Sequence, residues 1–180
     1  MKRTALLALG LLAMSAGTFA QAPADAIEKA LTAAPRNMKE GAAVIKFKAD
    51  GTYDTLKPGT NRLVCYDRSG EPGEQPFAIQ CSSVANIPRI AQNKKFEAMP
   101  EKGKTAIEAA EKDGTRAKPE YGSVWYTMNG ADKDHARLHI TIAVPGATTA
   151  STGLPSDNKQ GAVWIMNAGT STAHIMTPGS

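Results

Sequence analysis

The chain has three histidines, and two of them, His135 and His139, are four residues apart. On a helix, this spacing would place both imidazoles on one face, where they could bind a metal ion. The surrounding residues alternate as in a strand, however, and four strand residues span about 13 Å. That is too far for two ligands of one zinc ion. Ala136 also stands where a zinc protease would carry its glutamate.

A metal site would form here only if His135 lay in a turn and folded back, joined by an aspartate of that turn or by His174. The alternative needs no metal: His135 and His139 line the solvated face of a strand together with Arg137. We expect no metal and no cofactor. His135, His139 and His174 are therefore the candidates for a ligand or metal site, and no catalytic residue is predicted.

The two cysteines, Cys65 and Cys81, each lie in an alternating apolar run. As strands, these runs would place Cys65 on one face with Leu63, and Cys81 on one face with Ile79. This pattern predicts one disulfide buried between two strands, which stabilises the fold by ~3 kcal/mol in the chain-entropy model. A redox pair and metal thiolates are the alternatives, but the Cys-x-x-Cys spacing typical of both is absent.

The sequence Ser-Asp-Asn-Lys at 156–159 contains two strings known from penicillin-recognising serine enzymes. Both strings share Ser156, they lie in a loop rich in Gly and Pro, and the third motif, Lys-Thr-Gly, is missing from the sequence. We interpret the match as a coincidence. The sequence also has no nucleophile elbow, phosphate-binding glycine loop or dinucleotide fingerprint.

The basic residues do not form the stripe that a nucleic-acid-binding protein needs. The formal net charge is +4, and Lys2 and Arg3 contribute two of the 21 basic residues. The only local cluster is Arg89 with Lys94 and Lys95, which we interpret as the solvated face of a helix. We therefore expect no nucleic-acid partner.

The N-terminus has the three parts of a secretory signal peptide: Lys2 and Arg3, an apolar run at 5–14, and small residues up to Ala20. We expect cleavage after Ala20, although a cut after Ala22 also fits the small-residue pattern. The run is too short to span a bilayer, and no cysteine follows it for lipid attachment. The expectation is a single globular domain at 21–180, periplasmic or secreted from a bacterium, without a stable membrane anchor.

Periodicity along the chain predicts an α+β fold, an antiparallel β-sheet with a few helices on one face or edge. Helical spacing covers 23–34, 86–99 and 103–112. Strand-like runs cover 45–47, 53–57, 62–67, 77–81, 124–128, 137–144, 163–166 and 173–176. The clearest alternation places Leu138 and Ile140 on one face of a strand, opposite His139.

Two further segments bear on binding. In a strand, Trp125 and Tyr126 point to opposite faces, so one of them is expected to face solvent or a covering element. An exposed aromatic side chain on a sheet is a hint of a binding surface. The loop at 145–161 is longer than most connections, and its Gly, Thr, Ser and Pro content favours disorder over a lid.

The C-terminal sequence reads Val-Trp-Ile-Met-Asn-Ala-Gly-Thr at 163–170 and Ala-His-Ile-Met-Thr-Pro at 173–178. These segments resemble the C-terminal end of small exported bacterial proteins with no assigned activity. The resemblance covers about one-tenth of the chain and implies no catalytic residues.

Three hypotheses for function follow. The first is an exported, non-enzymatic binding or interaction domain, whose partner is an unknown small molecule or an envelope protein. The second is an exported hydrolase or metal-dependent enzyme that uses His139 or His174 with a carboxylate. The third is a component of a cell-envelope assembly with an exposed strand edge as the contact.

Overall fold

The computed structural model describes residues 24–99 and 101–178, so the signal peptide expected at 1–20 lies outside the described residues. The described residues form an α+β fold with one sheet. Its strands are β1 (Ala43–Phe47), β2 (Tyr53–Lys57), β3 (Leu63–Asp67), β4 (Phe77–Ser83), β5 (Val124–Gly130), β6 (Arg137–Ala143), β7 (Trp164–Met166) and β8 (His174–Met176). The helices are α1 (Ala24–Ala30), α2 (Arg36–Lys39), α3 (Ile87–Glu97), α4 (Gly103–Asp113) and α5 (Thr149–Thr152). The predicted fold class is confirmed.

The strand order is β2-β1-β3-β4-β5-β6-β8-β7, and the sheet is mostly antiparallel. The exception is the parallel pair β1 and β3. After the hairpin of β1 and β2, the chain crosses back over β1 through Gly59. A Cβ at Gly59 would lie 2.6 Å from the backbone nitrogen of Ala43, so only glycine fits this close approach without a backbone shift.

The disulfide predicted from the sequence is present and joins β3 to β4. Cys65 and Cys81 are directly opposite each other in the antiparallel register, with 4.1 Å between their Cα atoms. Both are fully buried in a core on the α1 face of the sheet, together with Leu63 and Ile79. The alternation that suggested a shared apolar face therefore described the packing correctly.

The helix predicted at 23–34 is shorter than expected. It ends at Ala30 and tightens into a 3-10 turn over Leu31–Ala33. Ala34 is extended, as the residue before a proline prefers to be, and Pro35 follows. The helices predicted at 86–99 and 103–112 are confirmed as α3, with Pro88 in its first turn, and as α4.

Helix α3 packs on the opposite face of the sheet from α1, above Ile45, Val64 and Tyr66. The basic residues of this helix were expected to be solvated, and for two of them that expectation is wrong. Arg89 is 5% exposed and Lys94 is 8% exposed. Lys94 bonds to Glu71 and Glu97, and its ammonium group lies 5.8 Å from the centre of the Tyr66 ring.

The loop at 145–161 is structured, which corrects the expectation of disorder. Thr148 caps helix α5 in a reciprocal pair of hydrogen bonds with Ser151. Leu154 then packs against a small core formed by Val144, Ile165 and others near β7 and β8. Composition alone missed this, because a capping pair and one packed leucine are single contacts that composition does not indicate.

Candidate binding pocket

A cavity of about 280 Å³ lies on the α3 face of the sheet, beside this helix and above the strands that it leaves uncovered. Strands β4, β5, β6 and β8 supply its floor, and α3, the loop before β5 and the turn between β7 and β8 supply its walls. The lining residues are Arg68, Gln80, Arg89, Asn93, Pro119, Trp125, Thr141, Ala143, Asn167, Thr172, Ala173 and His174. This lining contains cations and neutral polar groups around one large aromatic ring, and no carboxylate.

The floor of the pocket is set by strand register. Trp125 on β5 is directly opposite Thr141 on β6, so the two side chains share the α3 face. Gln80 on β4 is fixed next to them, because it accepts a hydrogen bond from the buried Tyr66 hydroxyl and donates one of 2.9 Å to Thr127. Tyr126 points to the other face and packs on the disulfide core. Trp125 is thus the one of the two that lines the pocket, where it also packs against the core beneath α3.

One pocket wall is the loop that contains Pro119, and Asn86 holds this loop in place. The side chain of Asn86 is fully buried. Its amide nitrogen donates to Ser82 and Ser123, at 2.7 and 2.9 Å, and its amide oxygen accepts from the Glu120 backbone at 2.7 Å. Since every polar atom of this buried amide has a partner, the loop is held against β4 in one position.

Arg89 is the central charged residue of the pocket. Its Nη1 donates to the Ala117 carbonyl at 2.6 Å and to Ser171 Oγ at 2.9 Å. Within the described residues, no carboxylate oxygen lies within 4.0 Å of its guanidinium. Burial, reinforced by the nearby charge of Arg116, lowers the pKa of Arg89 to about 10, so it is still a cation at neutral pH.

Arg68 lines the same pocket in a different electrostatic setting. It forms ion pairs with Glu71, Glu74 and Glu97. Burial lowers its pKa, but these carboxylates and Tyr66 outweigh burial, and the pKa of Arg68 is raised overall. Arg68 is therefore already paired with three carboxylates, whereas Arg89 forms no ion pair with a described carboxylate.

The three histidines do not converge. His174 lines the pocket, and its Nδ1 lies 2.7 Å from the Thr172 carbonyl. His139 is on the same face of the sheet but pairs with Thr127, about four strand positions from His174, or about 13 Å. His135 is not on the strand face; it lies in the preceding turn, where Nδ1 is 2.7 Å from Asp132.

The metal-site hypothesis required His135 to lie in a turn. It does lie in a turn beside Asp132, but the described residues contain no group of three or more His, Cys, Asp or Glu side chains that could hold a metal ion. The alternation around His139 was interpreted correctly, since Leu138 pairs with Met128 on the disulfide face.

Sequence reasoning named His174 as a candidate and treated Trp125 as a hint, but it missed Arg89. The signal that could have found Arg89 was its position relative to the apolar face of α3. Arg89 lies one position before Ile90, a core residue of α3, so it sits at the boundary of the apolar face of that helix. The proximity of Ser171, far along the chain, could not be read from any local pattern.

Comparisons of this chain with protein-family models, with curated proteins and with solved structures find no match. Among helices in residues 24–99 and 101–178, none has both the length and the apolar content needed to cross a bilayer. The site therefore has to be interpreted from its own geometry.

Proposed function

We propose that this chain is an exported, non-catalytic binding protein that holds a small polar molecule in the pocket above Trp125. The observation that carries the proposal is the pocket itself. It combines one aromatic surface with several fixed polar groups and a buried cation that has no direct acid, and its lining is more polar than that of most small-molecule sites. Its volume of about 280 Å³ lies just below the range of about 300–1,000 Å³ usual for such sites, so only a small ligand would fit.

Export is supported by two independent features. The N-terminal sequence has the charged, apolar and small-residue parts of a signal peptide. The Cys65–Cys81 disulfide is of a kind that persists in oxidising compartments. Expression of the full chain in a bacterial host should yield protein outside the cytoplasm that begins at Gln21, and intact-mass measurement of that material tests this.

The enzyme hypothesis has weaker support. An enzyme that uses His139 or His174 with a carboxylate needs the imidazole and the carboxylate within hydrogen-bond reach of each other. Here His174 is the one imidazole in the lining, its Nδ1 bonds to a backbone carbonyl, and the lining contains no carboxylate. His139, the other histidine of the enzyme hypothesis, is not in the lining.

Binding can be measured with the protein's own fluorescence. The chain has two tryptophans, so Trp164→Phe leaves Trp125 as the reporter. This variant should be titrated with benzoate, acetate, inorganic phosphate, benzamide, glycine and glucose. We expect at least one probe to change the Trp125 emission with saturation.

The matched control carries Thr141→Phe in addition. Thr141 is half-buried opposite Trp125, and a phenyl group there fills the pocket without leaving the strand. Saturable changes should disappear in this control. If no probe changes the emission of Trp164→Phe, or if the change persists with the pocket filled, the proposal fails.

A further inference from the structure

The neighbourhood of Arg89 contains two buried arginines without a direct ion pair among the described residues. Arg89 and Arg116 are both buried, at 5% and 6% exposure. Arg116 donates to the neutral side chains of Gln92 and Asn93, and it stacks 5.1 Å from the centre of the Phe96 ring. Neither arginine has a carboxylate oxygen within 4.0 Å among the described residues.

Two acids influence this neighbourhood without direct contact: Glu97 acts on Arg116, and Glu111 acts on both arginines. Glu111 Oε1 accepts from Ser171 Oγ, and Ser171 in turn accepts from Arg89. The serine thus stands between the charges, and one carboxylate is shared by two guanidinium groups. Burying a charge is costly unless it is paired. An anion in the pocket would supply the missing pairing.

The guanidinium of Arg89 has one edge used and one edge free. Both of its hydrogen bonds leave from Nη1, on the edge turned toward Ala117 and Ser171. No described residue accepts from Nε or Nη2. These atoms are also not among the fully buried nitrogens without a partner, so they retain some accessible surface, and Arg89 is a lining residue of the pocket.

The Nε–Nη2 edge of an arginine presents two parallel N–H groups. This spacing matches two oxygens of a carboxylate or a phosphate, which arginine binds through paired, charge-assisted hydrogen bonds. The used edge fixes the plane of the guanidinium, so that little side-chain entropy is lost when an anion binds.

We propose that the pocket binds the oxyanion group of a small organic acid through the Nε–Nη2 edge of Arg89, with the body of the ligand against Trp125. This inference rests on the proposed function and narrows it to an anionic ligand. The class comprises carboxylates and phosphate esters, which share the two-oxygen geometry.

The test compares benzoate with benzamide, which has the same shape without the charge, in isothermal titrations of the full mature protein. Inorganic phosphate and acetate distinguish the two kinds of oxyanion. We expect benzoate to bind at least about tenfold more tightly than benzamide. In Arg89→Gln the affinity for benzoate should fall at least about tenfold, and in the exposed control Arg36→Gln it should be unchanged.

Arg89→Lys is a second variant, needed in case Arg89→Gln does not fold. The lysine ammonium can still donate to Ala117 and Ser171, but it lacks the two parallel N–H groups of arginine. Arg89→Lys should retain the wild-type melting temperature to within a few degrees and lose most of the affinity for benzoate. In wild-type protein, benzoate should also shift the Nε–H NMR resonance that is missing in Arg89→Lys.

Several results would overturn the inference. Equal binding of benzoate and benzamide would show that the charge is not recognised. Unchanged benzoate affinity in Arg89→Lys would remove Arg89 from the site. Saturable binding of glucose or benzamide without any oxyanion probe would leave the binding function standing and reject the ligand class, whereas binding of no probe would reject both.

Discussion

Arg89 in α3 donates a hydrogen bond of 2.9 Å to Ser171, 82 residues further along the chain. Ser171 lies in the turn between β7 and β8, so this bond joins the helix on one side of the pocket to the C-terminal hairpin on the other. The same hydroxyl donates to Glu111 in α4. Three elements therefore meet at one buried serine.

Ser171→Ala should lower the free energy of unfolding by about 1–3 kcal/mol, because it leaves a buried donor of Arg89 and an acceptor of Glu111 without their partner. Urea denaturation followed by far-UV circular dichroism measures this change. Ser156→Ala, at an exposed serine, is the control and should be neutral. Equal stability of the two variants would show that the three-element contact does not contribute.

Removal of the disulfide should be costly. The double variant Cys65→Ala/Cys81→Ala should have a free energy of unfolding about 2–5 kcal/mol below that of the wild type. The variant loses the constraint that the disulfide places on the unfolded chain, and it loses two buried sulfur atoms. Wild-type protein in a strong thiol reductant should lose a similar amount. A double variant with wild-type stability would contradict the role assigned to this bond.

Acid should destabilise the protein partly through Asp67. This residue forms an ion pair of 2.7 Å with Lys29 and accepts from the Ser69 backbone. Burial raises its pKa, but the bonds to Lys29 and Ser69 outweigh burial, and the pKa of Asp67 is lowered below its usual 3.8. The unfolded state therefore takes up the proton first, and the contribution of Asp67 is complete above about pH 4 and is lost as the pH falls through the lowered value.

The measurement for Asp67 is the pH dependence of the melting temperature. Wild-type protein and Asp67→Asn should differ at pH 6 and converge toward pH 2. The difference should be modest, because both partners are more than one-third exposed in their side chains and salt screens such pairs. Asp134→Asn, in the β5–β6 turn, is the matched control. A difference that grows toward low pH would show that the sign is wrong.

The histidine geometry predicts the absence of a tight zinc site. His139 and His174 are about 13 Å apart along the strand direction. His135 lies in the turn before that strand, with its Nδ1 on Asp132. Elemental analysis of protein purified without a metal-affinity tag should find zinc well below one equivalent. Stoichiometric zinc that disappears in both His139→Ala and His174→Ala would restore the metal-enzyme hypothesis.

Much of the fold could be predicted from local patterns. The period-two alternation around Cys65, Cys81 and His139 identified three strands and their faces, because a slip of one residue would expose an entire apolar set. The parallel pairing of β1 with β3 was not predictable in this way, since it depends on a chain crossing permitted by Gly59.

The pocket could be predicted only in fragments. His174 and Trp125 were identified by residue type, but the cation that defines the pocket was interpreted as solvated. Charge clusters on a helix are usually solvated, and nothing near Arg89 in sequence indicates that Ala117 and Ser171 will cover it. Long-range polar contacts produce no periodic sequence pattern, because each contact involves only one residue from each of two distant segments.

The C-terminal hairpin should be the first part of the molecule to unfold locally. Strands β7 and β8 have three residues each, and their core is a small cluster separate from the two beneath α1 and α3. Amide hydrogens of Ile165 and Ile175 should therefore exchange with solvent sooner than those of Val64 and Ile79 at the centre of the sheet. Because Asn167 and His174 belong to this hairpin, the first sub-global opening of the protein would also uncover one wall of the pocket.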